Sequence, residues 1–389
     1  IRDSNNLGNV FVYQGDWASA RGYHEQSLAV FRETGDRRSE GLLLGNLGWD
    51  ARLQGDLQAA RTYFEQSRLT IHEVGDREGE SRILGNLGSV SISLGDLAAA
   101  RCFLEQALLL VREVGCPPEE TTILHRLGLA LALQGDYAAA GDYCGRSLLL
   151  ARELGSRWCE ANALGTLGVI CDCVGDYSGA RDHHEASLQI ACSTGLRRLE
   201  GEGLANLGLL CHHLGENQAA REHSQRALEI ARELGVREFE ASAVTHLGHA
   251  LAGLGHLAEA ADAYRQSLGL RRDLGQPHLA TEPLAGLARI SLAQNDLARA
   301  QTHVEEILSF LQDNTLDGTD EPFRVYLTCY RVLHANQDPR AQVILTTAHS
   351  LLQDQAAKVE DEALRGSFLE NVAAHREIVR EFVSRSPSW

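Results

Sequence analysis

Methionine is absent from all 389 residues, even from position 1, and lysine occurs once, at Lys358. The missing initiator leads us to expect a segment of a longer or processed protein, which leaves room for a catalytic domain outside it. A single lysine so near the end excludes a GxxxxGK[ST] phosphate loop and, before residue 358, a lysine Schiff base. No apolar run approaches the roughly 20 residues of a membrane span, so we expect no membrane partner.

Positive charge is also scarce. Against 53 acidic residues stand 36 basic ones, which gives a formal net charge of −17. A nucleic-acid surface needs clustered cations, so we expect no nucleic-acid partner but a neutral or cationic one. HExxH helices and GxSxG elbows are missing as well. We therefore expect no enzyme, no metal and no cofactor.

The nine cysteines are odd in number and do not form paired CxxC units. Cys171 and Cys173 are separated by one residue. On a helix this spacing turns their side chains roughly 200° from each other and makes them poor joint ligands. Free, reduced thiols packed as small hydrophobes are the better interpretation, and they favour a cytoplasmic location.

What the sequence does contain is a 40-residue repeat. Three columns define it: a leucine, a glycine directly after it, and an alanine thirteen residues beyond the leucine, as in Leu47, Gly48 and Ala60. The leucine column runs Leu7, Leu47, Leu87, Leu127, Leu167, Leu207, Leu247, Leu287. Eight units follow one another from residue 1 to about 310 without an insertion, so a repeat architecture is indicated.

Each unit predicts two helices. In the second unit, Leu43, Leu44, Leu47 and Leu53 have helical spacing, which predicts helices over about 38–54 and 57–74. Gly55 suits the left-handed end of the first helix, and Asp56 can cap the second. The small residues of the glycine and alanine columns would let the two helices approach closely.

These columns resemble the tetratricopeptide repeat, and the 40-residue length is similar to the C-terminal arms of bacterial signal-transduction ATPases and transcriptional regulators, to kinesin light chains and to Pins-type adaptors. The resemblance implies an all-α fold: a right-handed superhelical solenoid of eight units over 1–310, with capping helices over 311–389. In that last part "LQDNTLDGTDEP" predicts a loop, followed by helices at about 322–336, 339–358 and 359–384.

In this family the first helix of each unit lines a concave groove, where ligands bind. Carried onto this sequence, the resemblance implies a groove formed by Asn6, Asn9, Asn46, Trp49, Arg52, Arg82, Asn86, Arg126, Asn206, His212, His246, His249 and Arg289. Asparagines one residue before the Leu-Gly pair resemble the ladder that grips peptide backbone in the O-linked GlcNAc transferase repeats. An amide can donate and accept at once, which suits that task. The alternative is that these asparagines bridge adjacent helices.

Two further groups have alternatives. Trp49 lies one helical turn from Arg52, which is either an exposed aromatic beside a cation in the groove or a tryptophan packed on the neighbouring helix. His212, His246 and His249 should converge. Metal binding is one interpretation, but we favour solvated or ligand-facing histidines that titrate near neutral pH.

The sequence thus predicts a non-catalytic scaffold that binds a protein or peptide segment in its groove. By resemblance it would be the sensor or interaction arm of a larger bacterial regulator. The alternative is an oligomerisation or spacer solenoid that acts through its convex face or its ends.

Overall fold

In a computed structural model, the protein is described at residues 7, 11 and 17–385. This part is a tandem series of helices without strands, and it is 84% helical. The helices, numbered α1 to α19 in chain order, are Trp17–Thr34, Arg37–Leu53, Leu57–Glu73, Arg77–Ser93, Leu97–Val114, Pro117–Leu133, Tyr137–Glu153, Arg157–Cys173, Tyr177–Thr194, Arg197–His213, Asn217–Leu234, Arg237–Gly253, Leu257–Asp273, Pro277–Ala293, Leu297–Phe310, Pro322–Ala335, Arg340–Lys358, Glu362–Glu370 and Ala373–Arg385.

The turns between paired helices have the chemistry that the repeat predicts. Between α2 and α3, Gly55 adopts a φ of 82°, and the Asp56 side chain accepts a hydrogen bond from the backbone N–H of Ala59. A left-handed residue of this kind favours glycine, and the carboxylate satisfies an N–H that the helix leaves unpaired. Asp96 and Asp136 cap their helices in the same way.

Small residues at the predicted columns bring each helix pair together. A Cβ added to Gly48 would come within 2.8 Å of the Phe64 ring, and one added to Gly248 would come within 2.7 Å of the Tyr264 ring. Ala60 is fully buried. Any larger side chain at these positions would push the helices apart, which confirms the packing role assigned to the columns.

The C-terminal helices follow the prediction with one correction. α16 and α17 match the expected helices within two residues. The single helix expected over 359–384 is wrong, because this part forms two helices that are separated between Glu370 and Ala373. At the break, the Asn371 side chain donates to the carbonyl oxygen of Gly175 at 3.1 Å, and the His375 ring lies 2.7 Å from the carbonyl oxygen of Phe368. These contacts anchor the turn between α18 and α19.

The solenoid closes on itself across its concave side. The Gln276 amide donates to the carbonyl oxygen of Ser93 at 2.9 Å, although 183 residues separate them, and the Gly318 N–H donates to the carbonyl oxygen of Leu133 at 3.3 Å. The ends of α4, α6 and α8 therefore contact later repeats and the C-terminal part, so the groove becomes a partly closed lumen. Within the described ranges, each helix is too short or too polar to traverse a bilayer.

Candidate functional site

The lumen contains a cavity of about 500 Å³. Its walls come from the first helices of several repeats and from the non-helical residues that precede α16. Polar side chains from many helices line it, among them Arg52, Arg198, Asn206, Glu238 and Arg271. Apolar side chains cover other parts of the wall, including Phe239 and Val236. An enclosure of this size with a few placed polar groups has the character of a ligand site.

A second cavity of about 320 Å³ lies next to the first. His212, His213 and Arg289 line it together with Arg324 and Glu321. Both cavities share Asp320, Pro322 and Phe323 as lining residues. The chain immediately before and at the start of α16 thus stands between two chambers of one lumen.

The structure distributes the predicted groove residues unevenly. Arg52, Asn206 and His246 line the larger cavity, while His212 and Arg289 line the smaller one. Arg82 is exposed and lines neither cavity. Asn6 and Asn9 lie outside the described residues. The set is therefore brought together only in part.

Trp49 and Arg52 show features of both alternatives, since the tryptophan packs on neighbouring helices and the arginine lines the larger cavity. Trp49 is half-buried and packs against the cluster that contains Phe64 and Leu87, and the Arg52 guanidinium carbon lies 5.2 Å from the centre of its ring. Such a cation–π contact orients the arginine toward the lumen. Within the described part of the chain, the buried Nε of Arg52 has no hydrogen-bond partner. Burial lowers the pKa of Arg52, and Glu238 opposes this effect.

In the asparagine column, helix bridging is observed for one member. The Asn86 Oδ1 accepts a hydrogen bond at 3.3 Å from Arg126, which stands 40 residues later in the same column. Burial lowers the pKa of Arg126 to about 10, and the Arg52 charge adds to the effect. Asn206 instead faces the larger cavity. Contact of either asparagine with a ligand remains a prediction.

The three histidines do converge, but not as solvated groups. The His212 and His249 rings lie 5.5 Å apart, and the His246 and His249 rings 6.4 Å apart. His246 and His249 are 4% and 2% exposed. Burial holds the pKa of His249 well below its usual range and lowers that of His212 to about 3, so the expectation of titration near neutral pH is wrong for these two. Nowhere in residues 17–385 do three or more ligating side chains form a metal-binding group.

The positively charged histidine of this region is His213, which is the residue after His212 and is not among the predicted groove residues. His213 lies 2.9 Å from Asp172 and 3.3 Å from Glu321, through opposite ring nitrogens. Although burial opposes a charged ring, the two carboxylates raise the pKa of His213 to about 10. Its two partners come from α8 and from the chain before α16, which no periodicity connects.

The residues before α16 bind the inner face through several such contacts. Glu321 accepts a 2.5 Å hydrogen bond from Arg324 and lies 3.6 Å from His249. Its backbone N–H donates to Glu282 at 3.0 Å. Asp320 lies 3.5 Å from His246. Burial, followed by the Asp320 charge, raises the pKa of Glu282 to about 8.

Solved structures to which this chain is similar include a Rap protein, a Rap conjugation regulator and a signal transduction ATPase. A Rap protein complexed with competence and sporulation factor matches with a TM-score of 0.55 and 15% identity, over 89% of this chain and 99% of that one. The Rap conjugation gene regulator of plasmid pLS20 with the Phr* peptide matches with a TM-score of 0.58 and 15% identity, over 72% and 77%. A Pyrococcus horikoshii signal transduction ATPase with a tetratricopeptide repeat sensor matches with a TM-score of 0.47 and 16% identity, over 86% and 55%.

No curated protein gives a significant match to the sequence. The family model described as tetratricopeptide repeat matches residues 3–68, 52–113, 119–193 and 201–273, which is more than half of the chain. Together with the tandem helix pairs, this confirms the solenoid class that the repeat predicts, and the chain belongs to the tetratricopeptide repeat family.

Proposed function

We propose that this protein is a non-catalytic recognition scaffold that binds a peptide or protein segment in its lumen. The observation that carries the proposal is the cavity of about 500 Å³ in the lumen, lined by residues of several repeats and of the C-terminal part. In this proposal residues 1–310 form the recognition solenoid and 311–389 its cap. Two Rap proteins of similar fold are crystallised with a competence factor and with a Phr* peptide, which supports a peptide as the ligand class.

The chemistry of the wall suits a peptide better than a purely apolar ligand. Arg52 and Arg198 can donate to carbonyl or carboxylate oxygens, and Asn206 can donate and accept at a peptide bond. Phe239 and Val236 offer an apolar surface to a side chain. By resemblance, the scaffold would be the sensor or interaction arm of a larger cytoplasmic bacterial regulator. The nine free thiols support the compartment.

The test is a selection of short peptides from a displayed random library on the immobilised protein. We expect the recovered peptides to bind at least about tenfold more weakly to Arg52→Ala and Asn206→Ala variants in calorimetry, because each loses a donor to a desolvated partner. Arg146→Ala is the matched control, since Arg146 is an exposed arginine on α7, which is the second helix of its repeat. Equal affinities for all four proteins would remove the cavity as the binding site.

One observation favours the alternative of self-association through the convex face. Leu69, Leu109 and Leu149 occur at 40-residue intervals on α3, α5 and α7 and are 59%, 65% and 63% exposed. Three exposed leucines in register could pair with the same row of a second copy. Light scattering across a hundredfold concentration range tests this. A constant monomer mass would exclude it, whereas a dimer that Leu109→Ser converts to monomer would support it.

A further inference from the structure

Residues 315–321, here called the acidic segment, include Asp317, Asp320 and Glu321 and adopt no regular secondary structure. They connect the last repeat to α16 and enter the lumen between the two cavities. Asp320 lines both chambers, whose volumes are about 500 and 320 Å³. The segment therefore occupies part of the surface on which the family resemblance places a ligand.

Within the segment, the backbone N–H of Thr319 donates to the carbonyl oxygen of Leu316 at 3.1 Å, whereas the segment's contacts with the repeats resemble those of a bound peptide. Backbone hydrogen bonds at Gly318 and Glu321 reach Leu133 and the side chain of Glu282. One apolar side chain, Leu316, is 2% exposed and anchors the segment. Glu321 also lies 3.3 Å from His213, and Asp320 lies 3.5 Å from His246. Main-chain bonds, one apolar anchor and paired charges are the means by which proteins bind extended segments.

The receiving surface is suited to acidic partners. His213 is protonated across the physiological range, and Arg289 has a buried Nη2 without a partner among the described residues. Arg289 also lies close enough to Arg324 for the second charge, after burial, to lower its pKa to about 10. Acidic side chains relieve this excess of donors, which is the role that Glu321 fills within the chain.

We propose that the acidic segment is an internal ligand of the inner face of α8 to α14, and that an extended acidic segment of a partner binds there by displacing it. This rests on the proposed function and adds the partner's chemistry. Exchange is feasible because the cost of desolvating buried ion pairs offsets much of their attraction. The tethered segment competes at an effective concentration on the order of millimolar, so a free peptide binds only weakly to the intact protein.

The probe is a synthetic peptide with the sequence of residues 313–324, labelled at its N-terminus and added in trans. In fluorescence anisotropy we expect the chain variant Asp320→Asn with Glu321→Gln to bind this peptide at least about tenfold more tightly than wild type, since its own segment competes less well. Asp313→Asn is the matched control, because Asp313 is an exposed carboxylate just before the segment. A peptide that itself carries Asp320→Asn and Glu321→Gln should bind neither protein.

Equal affinity of wild type and the double variant for the native peptide would overturn the proposal, provided that circular dichroism shows equal helix content. If the double variant does not fold, hydrogen exchange on wild type decides. Saturating peptide should accelerate exchange of the Gly318 amide, which donates to Leu133 in the free protein. Unchanged exchange would refute displacement. Arg52 and Asn206 make none of the segment's contacts described above, so failure of the library selection and failure of this exchange are separate results.

Discussion

Replacing His213 with alanine tests the charged cluster of the lumen most directly. The substitution removes the imidazolium that Asp172 and Glu321 share at 2.9 and 3.3 Å. Both carboxylates then remain in a site where their side chains are 10% and 16% exposed. Arg324 still pairs with Glu321, but Asp172 loses the partner described for it here.

The size of the effect follows from the pKa of His213. Its rise from the usual 6.5 or so to about 10 corresponds to a stabilisation of about 4 kcal/mol at pH 7. Removing one partner of a buried ion pair typically costs about 3–5 kcal/mol. Because the His213 side chain is still 18% exposed, we expect a loss of about 3 kcal/mol in the free energy of unfolding.

The sign of the pH dependence is fixed as well. The pKa is raised in the folded state, so the stabilisation is complete below the unfolded value near 6.5 and is lost as the pH rises toward 10. Urea unfolding followed by circular dichroism should show the difference between wild type and His213→Ala shrinking from pH 7 to pH 10. His256→Ala is the control, because its pair with Glu259 is 43% and 65% exposed and should be worth less than about 1 kcal/mol. A difference below 1 kcal/mol at pH 7 that does not change with pH would refute the assignment.

Three further predictions concern the lumen and the helix packing. Glu282→Gln should be neutral near pH 4 and should become more stable than wild type as the pH rises to 9, by on the order of 4 kcal/mol in urea unfolding, because a carboxyl whose pKa rises from 4.5 to about 8 on folding loses stability throughout that pH window. Gly128→Ala should destabilise by about 1–3 kcal/mol, since the new Cβ would meet the Cys144 sulfur, and adding Cys144→Ala should restore part of the loss in thermal melts. Gln276→Ala should remove the bond to Ser93 and increase the radius of gyration in small-angle scattering; an unchanged radius would show that other contacts close the solenoid.

The fold could be predicted because its determinants are local. Gly55 and Asp56 end one helix and begin the next through their own backbone and side-chain chemistry, and neither depends on distant residues. Gly48 and Phe64 meet within a single helix pair. A repeat copies such short-range instructions, so their periodicity is visible in the sequence and the predicted helix bounds agree closely with the observed ones.

Closure of the solenoid could not be predicted, since it sums many small rotations between neighbouring repeats. Whether Gln276 comes within hydrogen-bond distance of Ser93 depends on the rotation between neighbouring repeats, accumulated over more than four units. The columns identify which side chains face inward but not which distant ones face each other. That is why His249 was wrongly expected to be solvated: the chain that buries it returns from beyond the repeats.

Because the acidic segment lies on the inner face, ligand binding there differs physically from binding in an open groove. In an open groove, a ligand replaces water, and its affinity reports its own contacts. Here an acidic ligand must replace Asp320 and Glu321, which already contact His246 and His213, so affinity reports a difference between two sets of similar contacts. Binding to such a surface is weak for short peptides and becomes strong only for a partner that adds contacts elsewhere, for example at Arg52 in the adjoining cavity. Two-point engagement of this kind selects for a long partner segment over any short acidic one.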